Sequence, residues 1–219
     1  MSYIMTLHKC FVYLFKQLFW AIKLILFERT RLMNFLEYQK LFDTILTTDG
    51  PAKPYDKPAY INYVKLNQSR MSRWVRTMEL QPDLIDALND IEEPQHWIII
   101  TEPWCGDAAH SVPFLVAIAE KSPKVTYEIQ LRDAEPFLIN DYLTNGGKGI
   151  PKMVARDQHG IDLFTWGPRP NAAQDIFDKM KSEGAVYDEI TLKLQAWYNA
   201  DKGHSLQSEL LALVERQTV

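Results

Sequence analysis

Cysteine is almost missing from this chain: Cys10 and Cys105 are the only two among 219 residues. So sparse a supply rules out a disulfide framework and fits a reducing compartment, which makes the cytoplasm the expected location. No Cys/His cluster with metal-ligand spacing is present, and no metal is expected. Basic residues are not interleaved with aromatics in the globular part, and the formal charge is a mild −4. Both facts argue against nucleic acid as a partner. Internal repeats, low-complexity tracts and a linker long enough to set off a second domain are absent too. Nearly half of the residues are apolar, enough for a sizeable core in one domain of ordinary size with extensions.

A long uninterrupted apolar run is also lacking. Residues 1–32 are dense in Phe, Leu, Ile, Tyr and Trp, and Glu28 is their only acidic residue. Lys9, Lys16 and Lys23 recur every seven residues and interrupt the run well short of the roughly 18 apolar residues a spanning helix needs. On a helix these lysines share one face, as in an amphipathic segment lying in a membrane interface. No small-residue cleavage site follows, so a removed signal peptide is not indicated. Three readings stand: a start of translation at Met33, peripheral membrane contact through residues 1–32, with membrane association as the alternative location, or a spanning segment.

Downstream, the apolar spacing predicts helices over 34–46, 59–80 and 82–91, a helical cap spanning residues 33–94. The Gly- and Pro-rich stretch 47–58 separates the first two. Strand and helix then alternate: strands over 96–101 and 124–131, helices over 107–121 and 135–144, and two strands, 151–156 and 161–166. The short link Asp157-Gln158-His159-Gly160 suits an antiparallel hairpin. Asn171 is the expected N-cap of a helix to Lys181. Residues 185–219 add two more helices, over 187–199 and 205–215. The expected fold class is α/β.

The stretch richest in chemistry is Trp97-Ile-Ile-Ile-Thr-Glu-Pro-Trp-Cys-Gly-Asp-Ala-Ala-His110. A strand runs into Trp104-Cys105-Gly106-Asp107 and a helix follows at once. A cysteine at a helix N-terminus meets the partial positive charge that favours a thiolate. A resolving thiol three residues on would complete a dithiol site, but Ala108 stands there. Asp107 pushes the thiol the other way by like-charge repulsion, so a partly exposed thiol with a modestly depressed pKa is expected. His110 lies about 140° around the helix from Cys105 and is a poor base for it. For the same reason Cys105, Asp107 and His110 do not converge on a metal.

The segment 95–184 resembles the thioredoxin superfamily, in particular a bacterial branch. Three elements carry the likeness: Trp104-Cys105-Gly106-Asp107, then Gly149-Ile150-Pro151-Lys152-Met153-Val154, then Thr165-Trp166-Gly167-Pro168-Arg169-Pro170. The resemblance implies a thioredoxin-like fold, a central mixed sheet flanked by helices, with extra N- and C-terminal helices. It also implies a cis-proline at Pro151 facing Cys105, a shielding or core-packing Trp104, and a substrate-sharing loop at 165–170. Arg169 is then placed near Cys105, to bind an anion or to pair with Asp107.

Two functions follow as expectations. In the first, Cys105 and Asp107 carry monothiol redox or mixed-disulfide chemistry. The partner would be a protein or peptide thiol or disulfide, with no cofactor beyond glutathione as a co-substrate. In the second, the protein is a non-catalytic binding or scaffold module. Trp104, Ile150, Pro151, Trp166 and Arg169 form the partner surface in either case.

Overall fold

The computed structural model describes residues 33–217. The expectations for residues 1–32, Cys10 included, lie outside the described residues. Helix α1 (Phe35–Thr47) starts where Asn34 and Glu37 cap each other reciprocally, and it buries the stripe Tyr38, Phe42 and Ile45. Helices α2 (Pro58–Thr77) and α3 (Pro82–Asn89) each begin on a proline, whose missing N–H costs nothing in a first turn. Among the described residues no helix is long and apolar enough to cross a membrane.

Strands β1 (Gln95–Thr101), β2 (Val125–Leu131), β3 (Lys152–Asp157) and β4 (Asp162–Trp166) form one mixed sheet in the order β2-β1-β3-β4. β1 pairs parallel with β2 and antiparallel with β3, and β3 turns back into β4. Trp97 through Thr101 are buried without alternation, the pattern of a strand covered on both faces. Helix α4 (Gly106–Ala119) links β1 to β2 and is buried nearly all round. The α/β thioredoxin-like fold is therefore the fold of this chain.

The expected helix over 135–144 is not there. Phe137 sits in the left-handed region at φ 57°, and the segment holds only one 3₁₀ turn, Leu138–Asp141. Its apolar residues split: Leu138, Ile139 and Tyr142 pack on the main core, while Phe137 and Leu143 stay exposed, so no single helical stripe is buried. A helix this short depends on such packing. Asn171 is not an N-cap either, because α5 (Asn171–Ser182) begins on it and Pro170 precedes it as the cap. The Asn171 N–H instead donates to Glu209 Oε1 at 2.7 Å, from the far end of the chain.

Helices α6 (Tyr187–Asp201) and α7 (His204–Glu215) are integral to the domain. Ala173 of α5 meets Ile190, Leu194 and Tyr198 of α6 in a small core of its own. Leu206, Leu210 and Val214 of α7 join the main core. Gln207 is fully buried, accepting from the Gln81 N–H (2.8 Å) and donating to the Glu79 carbonyl (3.1 Å). Those bonds tie the C-terminal helix to the entry of α3.

Candidate functional site

β1 ends at Thr101, and Glu102-Pro103-Trp104 carry the chain across to α4. Cys105 is the residue just before that helix, with extended backbone, and its N–H donates to the Glu102 carbonyl at 3.0 Å. Its side chain is 8% exposed, and the thiol donates to the carbonyl of Ile150 at 3.3 Å. The Ile150–Pro151 peptide is cis. Burial pushes the thiol up, Asp107 adds to this, and the result is about 12. The backbone N–H groups of Ala108 and Asp107, with Arg169, pull the other way without winning. The expectation of a partly exposed, modestly acidic thiol is corrected: the helix terminus acts with the expected sign, but desolvation outweighs it.

Asp107 is the hub of a buried polar network. Arg169 Nη2 meets its Oδ2 at 2.7 Å, and the Tyr198 hydroxyl donates to its Oδ1 at 2.9 Å. Burial raises the carboxyl, while Arg169 and Tyr198 hold it down. Arg169 is further fixed by Gln174 Oε1 (3.0 Å) and by the ring of Phe177, 4.2 Å from its guanidinium carbon. His110 lies flat on Tyr198, centroids 4.4 Å apart. It accepts from Trp74 Nε1 at 2.9 Å, so its Nε2 carries the hydrogen and meets Gln195 Oε1 at 3.0 Å. Burial pulls its pKa down to about 3, against the Gln195 bond, which keeps the imidazole neutral. His110 is thus a structural junction of α2, α4 and α6.

These residues border a cavity of about 730 Å³. Trp104, Cys105, Asp107, Ile150 and Arg169 line it; Pro151 and Trp166 do not. Trp166 is 4% exposed and gives its indole N–H to Glu209 Oε2 at 2.8 Å, so it anchors the 165–170 loop to α7 instead of facing a partner. Gly167 lets that loop close on Pro151: its φ is +105°, and a Cβ there would collide with the Pro151 carbonyl. Lys152 Nζ seals the same junction by donating to the Gly167 carbonyl at 2.8 Å. Trp104 is half-buried, edge-on to Tyr60 and covered by the Arg132 guanidinium at 4.6 Å.

Sequence reasoning missed Arg70, Arg132, Lys148, Tyr187 and Tyr198, all on the cavity wall. Arg70 has a signal only in retrospect. It lies among the polar positions of α2, and its guanidinium reaches Gly106, where a Cβ would sit 3.5 Å from Nη1. With Arg169, these residues set three arginines and a lysine against the carboxylates of Asp107 and Asp188. Among the described residues no group of three or more His, Cys, Asp or Glu side chains could hold a metal ion.

A family model described as thioredoxin matches residues 55–181, more than half of the chain. The chain belongs to the thioredoxin family. A solved structure similar in fold, a protein of unknown function from Pseudomonas aeruginosa, has a TM-score of 0.51 and 19% identity, covering 71% of this chain and 90% of its own. An HIV epitope-scaffold has a TM-score of 0.50 and 20% identity, covering 70% and 90%. At such identity both likenesses speak for the fold alone. No curated protein matches the chain. Within the thioredoxin family this member departs at Ala108, which is 1% exposed and supplies no second thiol.

Proposed function

We propose that this thioredoxin-family protein binds a small anionic molecule in the cavity beside Cys105, and that it does not run a dithiol redox cycle. The observation carrying this reading is the charge of the cavity wall: Arg169 pairs with Asp107 and Arg132 with Asp133, while Arg70 and Lys148 are in no ion pair among the described residues and face only Asp188 as a further acid. Cations focused in a partly enclosed space of low dielectric attract an anion more strongly than the same charges on an open surface. The volume lies within the roughly 300–1,000 Å³ of small-molecule sites. A thiol pushed up to about 12 is held in its neutral form at pH 7, a poor resting nucleophile.

A second reading keeps the thiol active, and it is favoured by one fact: Cys105 is itself part of the cavity wall. In that reading the Cys105 thiolate attacks a disulfide of glutathione or of a protein or peptide partner. One sulfur is retained as a mixed disulfide, the other leaves as a thiolate, and an external thiol releases Cys105. Asp107 would take the thiol proton.

The two separate in one experiment. The full chain is titrated with inorganic phosphate by calorimetry and incubated at neutral pH with oxidised glutathione, then weighed by mass spectrometry. Saturable phosphate binding that survives Cys105→Ser, with no glutathione adduct on the native protein, supports the binding reading. A Cys105 adduct formed within minutes supports thiol exchange and overturns it.

A further inference from the structure

Resting on the anion-binding reading above, we infer that the molecule bound is amphipathic: an anionic head with an aryl or short apolar body. The wall changes character from its buried to its exposed residues. The side chains of Asp107 and Arg169, 13% and 14% exposed, pair with each other. Arg70 is half-buried and has no carboxylate of the described residues within ion-pair distance, giving one hydrogen bond to Asn67 Oδ1 at 2.9 Å. Desolvation and the neighbouring Arg73 press on its charge. A guanidinium in that position favours an arriving anion, which offsets part of its desolvation.

The unsatisfied hydrogen-bonding groups point the same way. Trp104 Nε1–H and Arg169 Nε–H are buried without a partner, and both residues line the cavity. Both atoms are donors for which the described residues supply no acceptor.

The mouth is apolar. Ten large apolar side chains stay exposed among the described residues, and four of them line this one opening: Tyr63, Leu66, Tyr187 and Leu192. Tyr63 and Leu66 are three apart on α2 and share a face, while Tyr187 and Leu192 come from α6. Single exposed apolar residues need no explanation, but a cluster around one cavity does. A phosphate alone would leave this rim in water. An amphipathic anion covers it while its head meets the buried donors.

The test uses the full chain and three probes: phenyl phosphate, inorganic phosphate and phenol, each titrated by calorimetry. Phenyl phosphate is expected to bind about tenfold tighter than inorganic phosphate or better, and phenol not to saturate. Arg70→Gln should weaken both phosphates about tenfold or more. The pair Tyr187→Ala with Leu192→Ala changes residues that are 63% and 71% exposed and is expected to fold as the wild type does. It should bring phenyl phosphate down toward inorganic phosphate and leave the latter unchanged. Equal affinities for the two phosphates, or equal loss of both in the rim variant, would overturn the amphipathic inference and leave anion binding standing. Phenol binding as tightly as phenyl phosphate would remove the anionic head. Saturation by neither phosphate would bring down the anion-binding reading, and this inference with it.

Discussion

Tyr198 donates its hydroxyl to Asp107 Oδ1 at 2.9 Å, across 91 positions of sequence. Arg169 occupies the other oxygen of the same carboxylate. One acid two residues beyond Cys105 is therefore held by two segments, the 165–170 loop and α6. Helix α6 is part of the wall of the site and cannot be treated as an appendage. A buried carboxylate with both oxygens engaged is also fixed in direction, which fixes the electrostatic push it exerts on the thiol.

Removing that hydroxyl should therefore be felt. Tyr198→Phe keeps the ring stacked on His110 and deletes one bond to a buried charge, at a cost of about 1–3 kcal/mol. Urea unfolding of the two proteins checks it. Tyr187→Phe, on an exposed ring of the same helix, serves as the control and should stay within about 0.5 kcal/mol. Equal stability of Tyr198→Phe and wild type would mean that the bond contributes nothing.

His110 predicts an acid-sensitive fold. Its native pKa of about 3 lies below its ordinary 6.5, so the unfolded chain takes up the proton first on acidification. The stabilisation is fully present above 6.5 and is lost as pH falls from there toward 3. Wild type should lose stability faster than His110→Gln across this window, by up to about 1.4 kcal/mol per pH unit. Gln at this position still offers an acceptor to Trp74. Parallel stability curves for the two proteins would show that His110 is not held neutral.

The thioredoxin-like core was legible because its signals are local. A buried strand reads as a continuous apolar run, and the Cys105 turn and the 157–160 hairpin are marked by short motifs. The Arg169–Asp107 pair was one of two readings offered for Arg169, and the two side chains do meet. What escaped depends on distant packing. Nothing near Tyr198 or Trp166 in sequence announces Asp107 or Glu209 as partners. The 135–144 segment has helical spacing, yet Phe137 takes a left-handed conformation and only a 3₁₀ turn forms, with Leu138, Ile139 and Tyr142 on the core. The acidity of Cys105 failed for the same reason: the helix terminus is local, whereas the burial that overrides it comes from the whole fold.

The loop junction over Pro151 yields a sharper mutational outcome. Gly167 has φ +105°, and an added Cβ would strike the Pro151 carbonyl. Gly167→Ala should cost more than about 2 kcal/mol, since backbone strain and a collision with main chain act together. Gly160→Ala has positive φ with open space around it and should cost less, from strain alone. Chemical denaturation of both variants checks the order. If Gly160→Ala were the more damaging, the close approach of the two loops would be wrong.

The last prediction concerns what Asp107 does to the thiol. Burial is the largest cause raising Cys105 and Asp107 is the second, while Arg169 opposes them. Asp107→Asn preserves volume and an acceptor for Tyr198, and it deletes the negative charge. The thiol pKa should then fall below about 12 yet stay above the ordinary 9, because the burial remains. Arg169→Ala should move it upward. Both are read from the pH dependence of alkylation in the folded protein, with the denatured protein as reference. The stability sign follows from the same shift: a thiol raised in the native state contributes below about 9, and the contribution is lost as pH climbs toward 12. Wild type should therefore weaken in alkali more steeply than Asp107→Asn. An Asp107→Asn thiol that titrates below its ordinary value would mean that the carboxylate, and not burial, had been suppressing a reactive cysteine. That outcome would return the site to monothiol chemistry.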